Sequence, residues 1–261
     1  MQTMRPIQLK QTFHDKVWGS PALSPWFPQN EGGSVGEVWL THRPDLPLLF
    51  KFLFTTERLS VQVHPDDHFA GQHEDSRGKT EMWRILRADP GAEIALGFKE
   101  TITREHAMAA AQSGEIVDLL RWIPVAPGET YFVPAGTVHA IGAGVALCEI
   151  QQQSDVTYRL FDYNRPRELH LERGFQVSDL GPYEGRRGKV CCPYFATEEL
   201  AFHGQLSLRT GAELTALLIL EGEGRIGGEP FRMGQGWLLP RNDEVRLETN
   251  APVRLMQVIE P

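Results

Sequence analysis

Apolar and polar positions along this chain alternate in short runs separated by Gly, Pro and Asp. Runs at 36–41, 48–55, 59–64, 82–87, 94–98, 130–133, 145–151 and 157–162 each predict a β-strand, and strands this short and regularly spaced describe an antiparallel sandwich or barrel. One stretch breaks the pattern. Across 103–122, Thr103 is followed by His106, Ala110, Ile116, Val117 and Leu120, a helix-period stripe interrupted at Gly114, which predicts one or two helices inserted between strands. Around 178–189 the alternation lapses into Leu180-Gly-Pro-Tyr-Glu-Gly-Arg-Arg-Gly-Lys189, the expected linker, after which short strands resume to Pro261. The expectation is an all-β-dominated protein with a small helical insertion, divided into a unit at 1–182 and a second at 183–261.

The two units carry the same turn chemistry. Gly128-Glu-Thr-Tyr-Phe-Val-Pro134-Ala-Gly136-Thr-Val-His139 and Gly234-Gln-Gly-Trp-Leu-Leu-Pro240-Arg-Asn242-Asp-Glu-Val245 share a glycine, five residues, a proline, a residue tolerant of positive φ, then a strand. The spacing repeats; the histidine does not. Composition changes the picture little: 261 residues, 41% hydrophobic and 23% charged, are those of a folded globular chain. A net charge of −8 argues against nucleic acid or an anionic membrane as the main partner, so any phosphate has to be held by local cations. No apolar stretch reaches the ~18–20 residues of a membrane span, and residues 1–11 lack the apolar core of a signal peptide, so a cytoplasmic location is expected. Cys148, Cys191 and Cys192 sit in no metal-binding spacing and are read as reduced bystanders.

Interior polar residues carry the chemistry of such a fold. In Leu59-Ser-Val-Gln-Val-His-Pro-Asp-Asp67 the two-residue period sends Val61 and Val63 one way and Ser60, Gln62 and His64 the other. In Lys79-Thr-Glu-Met-Trp83 it puts Lys79 and Glu81 on one face and Met82 opposite. With His139, three separate strands then offer two imidazole nitrogens and two oxygens, a donor set suited to a borderline divalent ion such as Zn²⁺. A lone strand histidine is more often hydrogen-bonded than coordinated; the set makes the argument. His68 and His73 fall in the polar loop 66–78, while His14, His42, His106, His170 and His203 are assigned to surface or packing positions.

The string Gly-x5-Pro-x-Gly-x2-His ending at His139 resembles the second motif of the cupin superfamily, which implies β-jelly-roll barrels with His139 pointing inward as a ligand; Ala143 stands where that motif carries asparagine. Six ordered strings are similar to type I mannose-6-phosphate isomerases: Lys16-Val-Trp-Gly19, Gly36-Glu-Val-Trp39, Leu59 to Asp67, Gly78-Lys-Thr-Glu-Met-Trp83, Val133-Pro-Ala-Gly-Thr-Val-His-Ala-Ile-Gly142 and Glu149-Ile-Gln-Gln-Gln-Ser-Asp-Val-Thr-Tyr-Arg-Leu-Phe-Asp162. The resemblance implies Gln62, His64, Glu81 and His139 as zinc ligands, Arg159 as an active-site residue, and Lys51, Lys79, Ser60 and Glu149 as pocket residues. Residues 193–261 resemble the second barrel of the short bacterial members. There Val245 replaces a ligand histidine, so one zinc per chain is expected, in the first barrel only.

The implied reaction interconverts mannose 6-phosphate and fructose 6-phosphate through a cis-enediol. Glu149 is the preferred base, with a ligand-orienting role as the alternative, and Lys79 is its rival as proton shuttle. Phosphate falls to Arg159, Lys51 and Lys79. Two of these have plainer readings: Lys51 as a lysine guarding an edge strand, Arg159 as an ion-pair partner of Asp155 or Asp162. Ser60 bonds either phosphate or its own strand. Another metal-dependent cupin enzyme, such as an iron dioxygenase, is a competing class, but it usually presents a histidine where Gln62 stands; a non-catalytic sugar-binding cupin is the other. The expected partner is a small sugar phosphate, without nucleic acid or membrane, and the chain a monomer or weak homo-oligomer.

Overall fold

The computed structural model describes residues 5–30, 33–42, 46–183, 185 and 188–261. Residues 1–4 of the expected first unit, and Glu184, Arg186 and Arg187 of the expected linker, lie outside the described residues. In chain order the described elements are β1 (Ile7–Gln8), β2 (Lys10–Ser20), β3 (Val35–Thr41), β4 (Leu48–Phe54), β5 (Val61–Val63), α1 (Asp67–His73), β6 (Glu81–Ala88), β7 (Glu93–Phe98), α2 (Arg104–Ser113), α3 (Ile116–Leu119), β8 (Leu120–Pro124), β9 (Thr130–Val133), β10 (His139–Ile141), β11 (Val145–Gln152), β12 (Tyr158–Phe161), α4 (Leu171–Val177), β13 (Ala196–Arg209), β14 (Thr215–Glu221), β15 (Glu223–Ile226), β16 (Glu229–Arg232), β17 (Gly236–Leu238) and β18 (Glu244–Ile259).

Three antiparallel sheets stack. A six-stranded sheet, β2-β3-β4-β11-β6-β9, faces a five-stranded sheet, β12-β5-β10-β7-β8. Between them lie Leu53, Trp83, Ile85, Ile94, Tyr131 and Leu147, the lining of the first barrel. The other face of the six-stranded sheet packs on a seven-stranded sheet built from β1 and β13 to β18. β4 is therefore buried along its whole length: Phe50, Phe52 and Phe54 face the second sheet pair, while Lys51 and Leu53 face the first barrel. A strand covered on both sides reads as a continuous apolar run. It also lies between β3 and β11 rather than at an edge, which removes the edge-guarding reading of Lys51. β14 repeats the arrangement, with Ala216, Leu218 and Leu220 toward the shared core and Leu217 and Ile219 in the interior of the second barrel.

The eight expected strands are all present, with ends moved by at most two residues. The insertion differs. Gly114, at φ +89°, ends α2, α3 stops at Leu119, and Leu120 to Pro124 are extended and paired with β7, so the helical reading of 103–122 is too long by its last residues. Ala107, Ala110 and Ile116 cover the outer face of the five-stranded sheet together with Phe175 of α4. The loop expected at 66–78 contains α1, capped by Asp66, whose carboxylate accepts the Phe69 N–H at 2.8 Å. The repeated turns match in backbone: Gly136 and Asn242 both have positive φ, +88° and +52°. One strand crosses between units, since Ile7 and Gln8 pair with Leu238 and Trp237. Among the described residues no helix is long and apolar enough to cross a membrane.

Candidate active site and metal centre

The strand registers bring the site together. In the six-stranded sheet Trp39, Lys51, Glu149 and Trp83 lie on one rung of directly opposed residues. In the facing sheet Gln62 is opposed on one side by Arg159 and on the other by His139. Because alternate residues of a strand share a face, these two rows line a cavity of about 420 Å³. Within it Lys51 Nζ donates to Glu149 Oε1 at 3.0 Å and to Gln151 Oε1 at 2.5 Å, and lies 5.0 Å from the Trp39 ring. Trp83 Nε1 donates to Glu149 Oε2 at 3.0 Å, so both carboxylate oxygens are held. Burial pushes the Glu149 carboxyl up, but Lys51 and then Lys79 outweigh it and hold it below its ordinary range.

Next to the cavity residues Gln62 and Lys79, His64, Glu81 and His139 are each buried, with one donor atom apiece within 4.8 Å of the others. His64 Nε2 lies 3.7 Å from Glu81 Oε2, and His139 Nε2 lies 3.5 Å from Glu81 Oε1. The other ring nitrogens are taken: His64 Nδ1 by the Val156 carbonyl and His139 Nδ1 by the Thr137 carbonyl, both at 2.9 Å. That pattern puts the proton on Nδ1 and aims each Nε2 lone pair at the cluster. Among the described residues His64 Nε2 has no hydrogen-bond partner, a state costing about 1–3 kcal/mol for a buried group, and Glu81 Oε2 has no partner but the Lys79 ammonium. Burial drives both imidazoles toward the neutral form, His139 to about 4 and His64 well below its ordinary value. Burial, then the charge of Glu149, pushes Glu81 up. Gln62 Nε2 stands 3.2 Å from His139 Nε2, and Ser60 Oγ donates to Gln62 Oε1 at 3.1 Å. Lys79 Nζ is 3.5 Å from Glu81 Oε2. The three acid–imidazole donors are able to hold one divalent metal ion.

Residues 27–82 match the family description "Phosphomannose isomerase type I, catalytic domain". The chain is 34% identical to mannose-6-phosphate isomerase ManA of Bacillus subtilis, over 91% of this chain and 94% of that one. The chain belongs to the type I mannose-6-phosphate isomerases. A crystal structure of the mannose 6-phosphate isomerase from Bacillus subtilis superimposes with a TM-score of 0.86 at 28% identity, covering 98% of this chain and 99% of that one. A zinc-bound mannose 6-phosphate isomerase shares the fold at 17% identity, with a TM-score of 0.74 and coverage of 98% and 100%. The cupin-type fold expected from the Gly136–His139 turn is therefore present in this member of the mannose-6-phosphate isomerase family.

In this isomerase-family chain Ser60, Gln62, Lys51, Lys79, Glu149 and Arg159 all line the cavity, and Gln62 and Lys79 adjoin His139 and Glu81 of the buried cluster. Arg159 makes no ion pair with Asp155 or Asp162 among the described residues; Asp162 is taken by Arg165 and Arg167. Sequence reasoning missed Lys16, Glu37, Trp39, Arg167 and His170. Glu37 and Trp39 share a face of β3, so the alternation that found Gln62 was available for them too. His170, expected at a surface or packing position, lines the cavity, and its Nδ1 accepts the Arg159 N–H at 3.2 Å. For Arg167 no local signal existed. It is carried to the cavity by a turn.

Proposed function

We propose that this protein interconverts mannose 6-phosphate and fructose 6-phosphate using one zinc ion held by Gln62, His64, Glu81 and His139. The observation that carries the reading is the buried cluster of His64, Glu81 and His139, with His64 Nε2 left without a hydrogen-bond partner, beside a cavity of about 420 Å³ with cations around it. Two neutral imidazoles and a carboxylate fit Zn²⁺, with the Gln62 amide turned over to present the oxygen that Ser60 now holds, and the charge of the ion also reverses the burial effect on Glu81. Bound zinc supplies Lewis acidity toward the oxygens on C1 and C2. The chain's own residues do the rest. The reaction moves a proton between C1 and C2 through a cis-enediol, and Glu149, kept ionised by Lys51 and aimed by Trp83, takes and returns it. Lys79, beside Glu81, faces the charge that develops on oxygen. Lys51 and Ser60 contact the sugar, and Leu53, Leu59 and Ile141 keep water off the reacting carbons.

In this reading 1–182 is the catalytic unit and 183–261 a metal-free support, with Val245 packed in an apolar interior. With a small sugar phosphate as substrate, the reading places the enzyme in the cytoplasm as a monomer or weak homo-oligomer. The test is a coupled assay for fructose 6-phosphate formation from mannose 6-phosphate with zinc counted on the same sample. One zinc per chain is expected. His64→Ala and His139→Ala should each lose metal and activity, and Gln62→Ala should weaken binding less, since an amide oxygen is a poorer ligand than imidazole. Full activity without metal, or a second equivalent surviving His139→Ala, would overturn the assignment.

A further inference from the structure

After β12 the chain reverses tightly. Tyr163 and Asn164 both have positive φ, +52° and +60°, and the Arg165 N–H donates to the Asp162 carbonyl at 3.0 Å, closing a turn of the primed type. The returning segment is then tied back to the strand it left. The His170 N–H donates to the Arg159 carbonyl at 2.8 Å, and the Arg159 N–H donates to His170 Nδ1 at 3.2 Å. This arrangement carries Arg167 and His170 to the cavity rim beside Arg159.

Asp162, only 2% exposed, grips Arg167 with two bonds, Nε to Oδ2 at 2.6 Å and Nη2 to Oδ1 at 2.7 Å. It also accepts Arg165 Nη1 at 3.2 Å, but Arg165 has Glu57 as a second partner at 2.7 Å. Those two carboxylates match those two arginines, and Arg159 is left over. Among the described residues its guanidinium meets only the Glu168 backbone carbonyl, at 3.5 Å. Burial, then the like charge of Arg167, pulls the Arg159 guanidinium below its ordinary value, ahead of the opposing Asp162 and Glu168. The lysines of the cavity are already engaged: Lys51 by Glu149 and Gln151, Lys79 by Glu81, Lys16 by Glu37. A dianion entering this cavity meets the guanidinium left without a carboxylate, Arg159, and beside it the Arg167 N–H groups that Asp162 does not take.

We propose that Arg167, fixed by Asp162, forms with Arg159 a guanidinium pair that grips the phosphoryl group of the sugar phosphate at the cavity mouth. The assignment rests on the isomerase reading above and adds a recognition residue to it. Two planar forks suit a tetrahedral dianion better than a single-charged group, and they leave the far end of the sugar over Gln62 and the donor cluster. Asp162 acts as a positioning residue, through Arg167.

The experiment measures binding of inorganic phosphate to the intact enzyme by calorimetry, alongside kcat and KM for mannose 6-phosphate, melting temperature and metal content. Arg167→Ala should weaken phosphate binding about tenfold or more and raise KM by a similar factor, with KM moving further than kcat and metal content retained. Arg167→Lys should recover only part of the loss, because an ammonium cannot make the paired bonds to Asp162, and Asp162→Asn should raise KM in the same direction. Should Arg167→Ala melt early, Arg167→Gln carries the same comparison in a folded chain. Phosphate affinity and KM within about twofold of wild type in a folded Arg167 variant would overturn the proposal. Failure of the isomerase reading looks different: the wild type binds phosphate, loses it on substitution of Arg167, and converts no mannose 6-phosphate.

Discussion

At the scale of single residues, Glu37 and Glu149 show how burial and charge compete at one carboxylate. Glu37 accepts the Trp39 indole N–H at 2.6 Å and lies 3.4 Å from Lys16 Nζ. Burial pushes its carboxyl up, yet Lys51, Lys16 and the Trp39 bond together bring it below the ordinary 4.5. A carboxyl lowered by folding adds stability that is present above its unfolded value and lost as pH falls through the folded one. Glu37→Gln should therefore melt earlier than wild type at neutral pH, and the two melting curves should converge as the pH falls below the ordinary 4.5 and through the lowered folded value. Parallel curves across that range would show that the ionised carboxylate is not the source. At Glu149 the proposed role is that of the base. Glu149→Gln keeps the size and can still accept from Lys51, so it should fold and hold metal while kcat drops by about 10²-fold or more if the carboxylate carries the proton. A loss confined to KM would return Glu149 to an orienting role.

Among the elements, the closure between α1 and β6 sets the distance between donors. His64 precedes it and Glu81 follows it. The Gly78 N–H donates to Asp67 Oδ1 at 2.8 Å, the same oxygen that accepts Gln152 Nε2 at 2.8 Å, and the Lys79 N–H donates to the Pro65 carbonyl at 3.0 Å. A Cβ on Gly78 would sit 2.4 Å from the Asp66 carbonyl carbon and 2.5 Å from the Asp67 nitrogen, backbone that cannot swing aside. Gly78→Ala should destabilise the protein by about 1–3 kcal/mol and lower its metal content, because relief of the clash moves Lys79 and Glu81 away from His64. Melting temperature and metal per chain measure it, and a neutral result would mean that the loop is not what spaces the ligands.

At the scale of the whole molecule, two barrels share a core. Phe50, Phe52 and Phe54 of β4 and Cys148 and Ile150 of β11 pack in one cluster with Leu218, Leu220, Met256 and Val258 of the second barrel. Arg84 of β6 is ion-paired to Glu199 of β13, a further tie across the same boundary. Elements that bury one surface between them lose it together, so a single calorimetric transition is expected. Phe52→Ala should lower that transition as a whole, by about 3–5 kcal/mol, through the cavity it leaves. Two resolved transitions, with only one moved by the substitution, would show that the barrels unfold separately.

What the sequence determined by itself follows from a local property of extended chain, the two-residue period of side-chain direction. It placed Gln62 with His64 and Lys79 with Glu81, and the turn residues Gly128, Gly136 and Asn242 marked where strands begin, because backbone conformation at a turn is also set within a few residues. The same period reached Glu37 and Trp39 without their being recognised. Tertiary structure decided what depends on segments far apart in the chain. Lys51 could be an edge lysine or a cavity lysine until β11 and β3 took the two sides of β4, and Ile7 and Gln8 joined the distant β17. His170 and Arg167 became cavity residues only when the chain turned at Tyr163 and Asn164 and was tied back to Arg159. Pairing partners, sheet edges and the direction of a returning loop are chosen by which distant surfaces become buried together, and no window of neighbouring residues contains that choice.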